Sequence, residues 1–440
     1  MASACHFRDR PVSTTPDTAP PQLLRAYPSG VTLVRRSARG AASAPEKVTI
    51  AEIEEWLLHG ATLESEMLLL LEAFIWHMIA AGLPIDRTTL HITTLHPQLL
   101  GFGWNWRRGD GFCDELKVEH RASETDSFKR NTIARVIETR QCLRRNPQLP
   151  EAQAEFPIMA ELAEAGIHEY VAMPMGGGEY RHIITFATTR ESGFTETEIS
   201  QVTHLLRLFS LHVERHIAAR IAENALNAYL GTVAGVKVLA GSIQRGSGES
   251  IRSIIWVSDL RGFTDLSARL TGAEMIMVLN AYFETLAGAV LSNGGEVLKF
   301  MGDGLLAVFP IGADNQAKAA AQAALKAAEQ AVKGLEQLNA QKPPPLNLIN
   351  GWHPLRSGIA LHEGEVFFGN IGAPDRLDFT VIGSAVNEAS RVEALHKTLH
   401  RGILMTEAVA QHLDVPLDNL GDHELRGVAT PLAIFSPARS

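Results

Sequence analysis

The sequence predicts two folded domains of different class, an α+β domain with one sheet and an α/β domain with a mixed sheet, joined by a helical coupling segment. Three observations carry this expectation. At 440 residues the chain is longer than a single typical core. From Ile251 onward, short β-branched runs alternate regularly with longer helical periods. Between residues 46 and 215 the order is instead helix, strands, helix, hairpin, helix. The composition, 45% hydrophobic and 20% charged, is that of an ordinary globular chain, and a net charge of −9 argues against nucleic acid as a partner. Cys5, Cys113 and Cys142 follow no metal-ligand spacing and are too few for a disulfide framework, so a reducing cytoplasm is expected.

Residues 1–45 are rich in Pro, Ser, Ala and Arg without a sustained hydrophobic period, which predicts a disordered tail. Thr49 is placed to cap a short helix over 50–58, with Glu52 and Glu54 where the macrodipole favours acids. Thr62 offers a second capping hydroxyl ahead of an apolar helix over 67–81. The longest apolar run, Met67 to Leu83, is interrupted by Glu72 and His77 and is shorter than the roughly 20 residues of a spanning helix, so a core helix and no membrane insertion are expected. Residues 88–94 alternate as a strand, and Trp104 to Trp106 belong to a second one closed by the Arg108-Gly-Asp-Gly111 turn. A helix over 127–144 and a Pro-broken loop over 145–157 precede a hairpin of strands 168–175 and 180–188, turning at Gly176 to Gly178. A long helix opens at Thr195.

The order of these elements, with Val171-Ala-Met-Pro-Met175, the glycine turn and Gly193-Phe-Thr-Glu-Thr-Glu198, resembles the GAF family. The resemblance implies a sensor domain over 46–215 whose ligand is not readable. The family's Asn-Lys-Phe-Asp-Glu signature is missing, which disfavours a cyclic nucleotide there. His212 and His216 are spaced to chelate a metal or to sit on a helix surface. Cys113 and Cys142 are either inert thiols or sensing ones, and Trp104, Trp106 and Phe112 either wall a pocket or fill the core. Along the long helix, Ile199, Val202, Leu206, Phe209, Val213, Ile217 and Ile221 make one apolar stripe. The stripe either packs on its own sheet or pairs with a second copy, and pairing is favoured beyond residue 213. Residues 216–250, punctuated by Gly231, Gly235, Gly241, Gly246 and Gly248, read as a coupling segment.

The C-terminal domain, 251–440, is organised around two stretches. Ile254-Ile-Trp-Val-Ser-Asp-Leu-Arg-Gly-Phe-Thr264 is a buried strand that delivers Asp259 and breaks at Gly262. Glu296-Val-Leu-Lys-Phe-Met-Gly-Asp-Gly-Leu-Leu-Ala-Val-Phe309 is a hairpin with Asp303 at its tip. Two carboxylates at the ends of neighbouring strands, with glycines admitting close backbone approach, suit divalent ions that hold a nucleotide triphosphate. Helices are expected over 272–291, 314–339 and 384–398, and strands over 355–362, 364–370 and 379–382.

Six motifs in order, Ser258-Asp-Leu-Arg-Gly-Phe-Thr264, Lys299-Phe-Met-Gly-Asp303, Ser357-Gly-Ile359 through Gly369-Asn-Ile-Gly372, Asp378-Phe-Thr-Val-Ile-Gly383, Val386-Asn-Glu-Ala-Ser-Arg391 and Leu425-Arg-Gly427, closely resemble the class III nucleotidyl cyclase catalytic domain. The resemblance implies an adenylate cyclase that converts ATP to 3′,5′-cyclic AMP and pyrophosphate. It assigns two Mg²⁺ or Mn²⁺ ions per site to Asp259 and Asp303, with the Leu260 carbonyl as a further ligand. Lys299 as donor and Thr380 as acceptor would read adenine, since guanine wants the opposite pattern. Thr380 stands where relatives more familiarly carry Asp, a substitution of the class IIIb subgroup that weakly hints at a bicarbonate response. Asn387 and Arg391, four apart on one helix face, would orient the ribose and stabilise charge at the α-phosphate. Arg426 would touch the terminal phosphates, as would the backbone amides of Phe263 and Thr264. The family's site is shared between two chains, which implies a homodimer. A guanylate cyclase and a catalytically silent nucleotide-binding module are the rival readings.

Overall fold

Seven strands make the N-terminal sheet: β1 Val31–Ser37, β2 Arg87–Thr93, β3 Leu99–Arg107, β4 Cys113–Glu119, β5 Leu143–Arg145, β6 Glu169–Met175 and β7 His182–Thr188. They lie in the order β1-β4-β3-β2-β7-β6-β5, and each neighbouring pair is antiparallel. The computed structural model describes residues 25–37, 39–96, 98–176, 182–312, 316–349, 352–428 and 430–438. It divides into two units at Ala225 and Leu226, inside the helix Glu196–Leu230.

Both faces of the N-terminal sheet are covered, and the pleat sorts the side chains between them. Leu90, Ile92, Trp104, Trp106, Ile184 and Phe186 point into a core shared with the helices Met67–Ala80 and Glu196–Leu230. Phe74 and Phe209 stack there at 4.2 Å. Ile133, Val136, Met159, Leu162, Ile183 and Ala187 form a smaller core on the other side. Trp106 is fully buried and meets Trp76 edge-on at 5.2 Å, so it fills the core rather than walling a pocket. His212 directs Nε2 to the Leu57 carbonyl at 2.6 Å, which uses the ring as a structural tie. Cys113 is buried, and burial pushes its thiol up; Cys5 lies outside the described residues.

Several expectations are corrected in this unit. Within the described part of the expected tail, β1 joins the sheet edge beside β4, because Arg25 and Arg36 pair with Asp114 while Arg35 pairs with Glu115; residues 1–24 lie outside the described residues. Thr49 caps the helix Ile50–Glu55 in a reciprocal box with Glu52, but Thr62 caps nothing and donates to the His59 carbonyl. The expected helix over 127–144 is broken: Asn131 caps Thr132–Thr139, Arg140 turns left-handed at φ 55, and β5 follows. The Pro-broken loop contains the helix Pro150–Glu155, begun by a proline where its missing N–H costs nothing. Part of the glycine turn, Gly177 and Gly178, lies outside the described residues. The stripe on the long helix packs on its own unit: Val213 and Ile217 are buried in the core and Ile221 packs against it, so pairing beyond residue 213 is not what buries them.

The second unit holds β8 Gly248–Leu260, β9 Glu296–Met301, β10 Gly304–Ile311, β11 Ser357–Ala373, β12 Arg376–Ile382, β13 Ile403–Thr406, β14 Leu417–His423 and β15 Leu432–Pro437. The order is β14-β15-β13-β11-β8-β10-β9, with β12 paired to β11, and the β11–β13 contact is parallel, which makes the sheet mixed. Where two strands were expected, β11 is one, because it pairs with β8 continuously from Ser357 to Gly369. The glycine-punctuated part of the coupling segment contains the helix Thr232–Leu239, whose Ala234 is buried in this unit's core. The helix Gly272–Ser292, capped reciprocally by Thr271 and Glu274, is long and apolar enough to cross a bilayer by length and composition. It nevertheless places Val278, Tyr282, Leu286 and Val290 in the core against the helix Ala317–Gln341.

Candidate active site

Asp259 sits near the end of β8 after six consecutive buried residues, Ser253 to Ser258. Its cross-strand neighbours are both glycines, Gly304 on β10 and Gly358 on β11. Neither neighbour has a side chain of its own, and the space left at Gly358 is taken by the Arg261 guanidinium. Asp303 follows Gly302, at φ 66, in the two-residue turn that joins β9 to β10. The turn brings the two acids together: burial, then a hydrogen bond to Asp259 and its charge, push the Asp303 carboxyl up from 3.8 to about 6. Like charges that cannot both ionise comfortably are relieved by a cation.

After Asp259 the backbone passes buried Leu260, Arg261 donates N–H to the Arg356 carbonyl at 2.8 Å, and Gly262 turns left-handed at φ 76. The short helix Phe263–Ser267 begins there. The amides of Phe263 and Thr264 thus lie in a first helical turn, where N–H groups lack intrahelical partners.

Residues that sequence reasoning missed hold this end of the sheet. Tyr282 reaches from its helix to Ser357 Oγ at 2.9 Å, and that hydroxyl donates to the Asp259 carbonyl at 3.3 Å. Arg261 pairs with Glu393, whose carboxyl is raised by burial and by the Asp259 charge despite the guanidinium. The guanidinium fits because residue 358 is glycine; a Cβ there would lie 1.7 Å from Arg261 Nη2. The only sequence signal was polarity out of place, a tyrosine inside an apolar helix and an arginine inside a glycine turn.

The other expected residues form a second group. Lys299 projects from β9 and is paired by Asp378 of β12, both side chains about half exposed. Thr380, opposite Gly369, is two residues along the same strand. Asn387 is exposed on the helix Ser384–Ala394, and Arg391 one turn later lies beside the turn at Gly427, where a Cβ would meet its Nη2 at 3.4 Å. Arg426 is exposed in that turn. Among the described residues, neither Asn387 nor Arg391 has a hydrogen bond or ion pair to Asp259 or Asp303. The reason is helical geometry. Glu393 faces its own chain's acids, and Arg391, two residues earlier, points to a different side of the helix.

Both groups lie within the residues that a family model matches. The family model for the adenylate and guanylate cyclase catalytic domain matches residues 250–435, from within β8 to within β15. The C-terminal half of this chain belongs to that family. Adenylate cyclase of Anabaena cylindrica is 33% identical over 175 residues, 40% of this chain and 33% of that protein. Adenylate cyclase 1 of Rhizobium meliloti is 30% identical over 182 residues, 40% of this chain and 26% of that protein. The chain thus spans a third or less of the length of these curated relatives. Among solved structures, a bacterial light-regulated adenylyl cyclase is 30% identical over 43% of this chain and 91% of its own, with a TM-score of 0.36. The guanylyl cyclase Cya2 is 31% identical over 43% of this chain and 92% of its own, also at 0.36. The description of the family model covers adenylate and guanylate cyclases alike.

Among the described residues no group of three or more His, Cys, Asp or Glu side chains forms a metal cage. A pair of carboxylates still fits a magnesium-type ion, which takes one or two protein carboxylates and completes its shell with water and substrate phosphate.

Proposed function

We propose that this chain is an adenylate cyclase that forms 3′,5′-cyclic AMP and pyrophosphate from ATP at sites shared between two copies. The observation that carries the proposal is the acid pair: two carboxylates at the ends of adjacent core strands, close enough to share a hydrogen bond, with glycines at the cross-strand positions. Asp259 and Asp303, with the Leu260 carbonyl, would hold Mg²⁺ or Mn²⁺, which when bound supplies Lewis acidity to the 3′-hydroxyl and the phosphates. Asn387 orients the ribose. Arg391 balances the negative charge that builds on the α-phosphate as the 3′-oxygen bonds to phosphorus and the bond to pyrophosphate breaks. Arg426 and the amides of Phe263 and Thr264 bind the terminal phosphates.

For the base, Lys299 donates to adenine N1 and the Thr380 hydroxyl accepts from N6. The direction taken by Arg391 supports a homodimer, in which the partner copy brings its Asn387 and Arg391 to this chain's acids. The N-terminal unit is read as a GAF-like sensor that biases how the two copies meet. The free thiols of Cys113 and Cys142 and the use of ATP support a cytoplasmic setting.

Purified protein should turn over ATP in preference to GTP, and Asp303→Ala should abolish product formation. Asp259→Ala and Arg391→Ala proteins, each inactive alone, should regain part of the activity when mixed, because one of the two hybrid sites keeps every group. Preferential turnover of GTP would instead make the chain a guanylate cyclase. Full activity of Asp303→Ala, or no recovery in proven heterodimers, would refute the site.

A further inference from the structure

The helix Ser384–Ala394, which carries Asn387 and Arg391, lies across one face of β11, and the contacts between the two are regular. Along β11 the alternate positions 360, 362 and 364 share a face, and along the helix positions 385, 388 and 392 share a stripe. Ala360 and Val392 belong to one buried cluster, and Gly364 lies so close beneath Ala385 that a Cβ there would collide with its methyl group. Between these contacts stands His362, 7% exposed, whose Nε2 lies 3.3 Å from Glu388 Oε2. Small residues at both ends set how near the helix sits. The polar contact between them sets how it is turned.

The imidazole is held on both nitrogens. Its Nδ1 meets Thr406 Oγ1 at 3.0 Å, at the buried end of β13. Burial keeps the ring below its ordinary pKa, against the pull of Glu388 and Glu363. A neutral ring carries one N–H and a carboxylate only accepts, so Nε2 presents its proton to Glu388 while the Thr406 hydroxyl donates to Nδ1. Neighbouring Glu363 is taken on the other face by Arg252 at 2.7 Å and His412 at 2.8 Å. Among the described residues, His362 is the only polar partner of the Glu388 side chain.

We propose that His362 is a positioning residue for the cyclase reaction: through Glu388 it fixes the rotation of the helix, and with it the directions in which Asn387 and Arg391 point. Asn387 precedes Glu388 by one residue, about 100° around the helix, and Arg391 follows it by three, so a turn at Glu388 turns both. The length of an arginine side chain magnifies a small rotation at the helix axis into a shift of about 1 Å at the guanidinium, a displacement that can cost about a hundredfold in rate. The inference rests on the roles proposed above for Asn387 and Arg391, and adds the residue in the sheet that holds them in place.

The test is steady-state kinetics of the full chain with ATP and Mn²⁺, followed by mixing of variants. Glu388→Ala should lower kcat about tenfold while KM for ATP stays within about twofold, as for an interaction misplaced in the transition state. Glu388→Gln, which keeps an acceptor oxygen for the Nε2 proton, should keep most of the rate, and His362→Phe, which removes both ring nitrogens, should reproduce the loss. Mixed with Asp259→Ala protein, Glu388→Ala should gain as much activity as the Asp259→Ala and Arg391→Ala pair does, because one hybrid site joins its intact acids to an unaltered helix. Mixed with Arg391→Ala it should stay low, because the only site with Arg391 draws it from the altered helix. A fold merely loosened by the substitution would fail in both mixtures. Wild-type kcat in Glu388→Ala or His362→Phe, an equal loss in Glu388→Gln, or no gain with Asp259→Ala while the control pair recovers would overturn the proposal. Failure of the control pair would instead remove the shared site, and the contrast between the alanine and glutamine variants would still decide whether Glu388 positions the helix.

Discussion

Asp303→Asn should make the metal-free protein more stable at neutral pH while removing its activity. The Asp303 carboxyl titrates at about 6 in the fold against an ordinary 3.8, held up by burial and by Asp259. A raised carboxyl penalises the folded state. As pH climbs from about 4 to about 6 the unfolded chain gives up this proton first, so stability falls across that window and the full penalty persists above it. Just over two pH units at about 1.36 kcal/mol each sets a ceiling near 3 kcal/mol, and partial solvent access reduces the expected value to about 1 kcal/mol. Asparagine keeps the shape, removes the second charge and donates to Asp259. In calorimetry of protein freed of divalent ions, the transition of the cyclase unit should rise by about 2–4 °C at pH 7.5, the scale for about 1 kcal/mol in a unit of some 200 residues. At pH 4 the gain should vanish, because the wild-type carboxyl is then protonated in the fold. Saturating Mn²⁺ should stabilise the wild type and not the variant. An equal gain at both pH values, or none at pH 7.5, would show that Asp259 and Asp303 do not repel one another.

Two further substitutions test the packing that sets the site. Gly358→Ala puts a methyl where Arg261 Nη2 now lies, 1.7 Å from the ideal Cβ, so the arginine must leave and Glu393 loses its partner. Thermal unfolding should report a loss of about 1–3 kcal/mol together with lower cyclase turnover, and wild-type values for both would discount the Arg261 contact. Phe209→Ala removes a fully buried ring stacked on Phe74 and should cost the N-terminal unit about 3–5 kcal/mol; in denaturant melting followed by a probe within that unit the midpoint should fall, and an unchanged midpoint would mean the helix does not hold that core together.

Local chemistry was legible in the sequence, and remote pairing was not. The Thr49 box, the glycine-flanked acids, the hairpin of β9 and β10, and the four-residue step from Asn387 to Arg391 all rest on interactions within a few positions. What escaped depended on distant partners. The strand character of Val31–Ser37 comes from Asp114 and Glu115, which anchor Arg35 and Arg36 across about eighty residues of chain. β11 was expected as two strands, 355–362 and 364–370, whereas pairing with β8 carries a single strand straight through Gly364. The stripe from Ile199 to Ile221 had the right period for either partner, and only the shape of the core decides that its own unit takes it. Likewise Tyr282, Ser357, Arg261 and Glu393 belong to no local pattern, since each meets its partner only after the sheet has closed.

The early strand β1 changes how a shortened chain would behave. Starting the polypeptide at residue 46, where composition places the domain's beginning, would uncover the backbone edge of β4 and leave Asp114 and Glu115, at 0% and 1% exposure, without Arg35 and Arg36. An open sheet edge invites other chains to add to it, and the two buried acids would lose arginines that now pair with them. A truncated protein that clumps on purification would therefore reflect a missing border strand, and adding residues 25–45 back should restore its solubility.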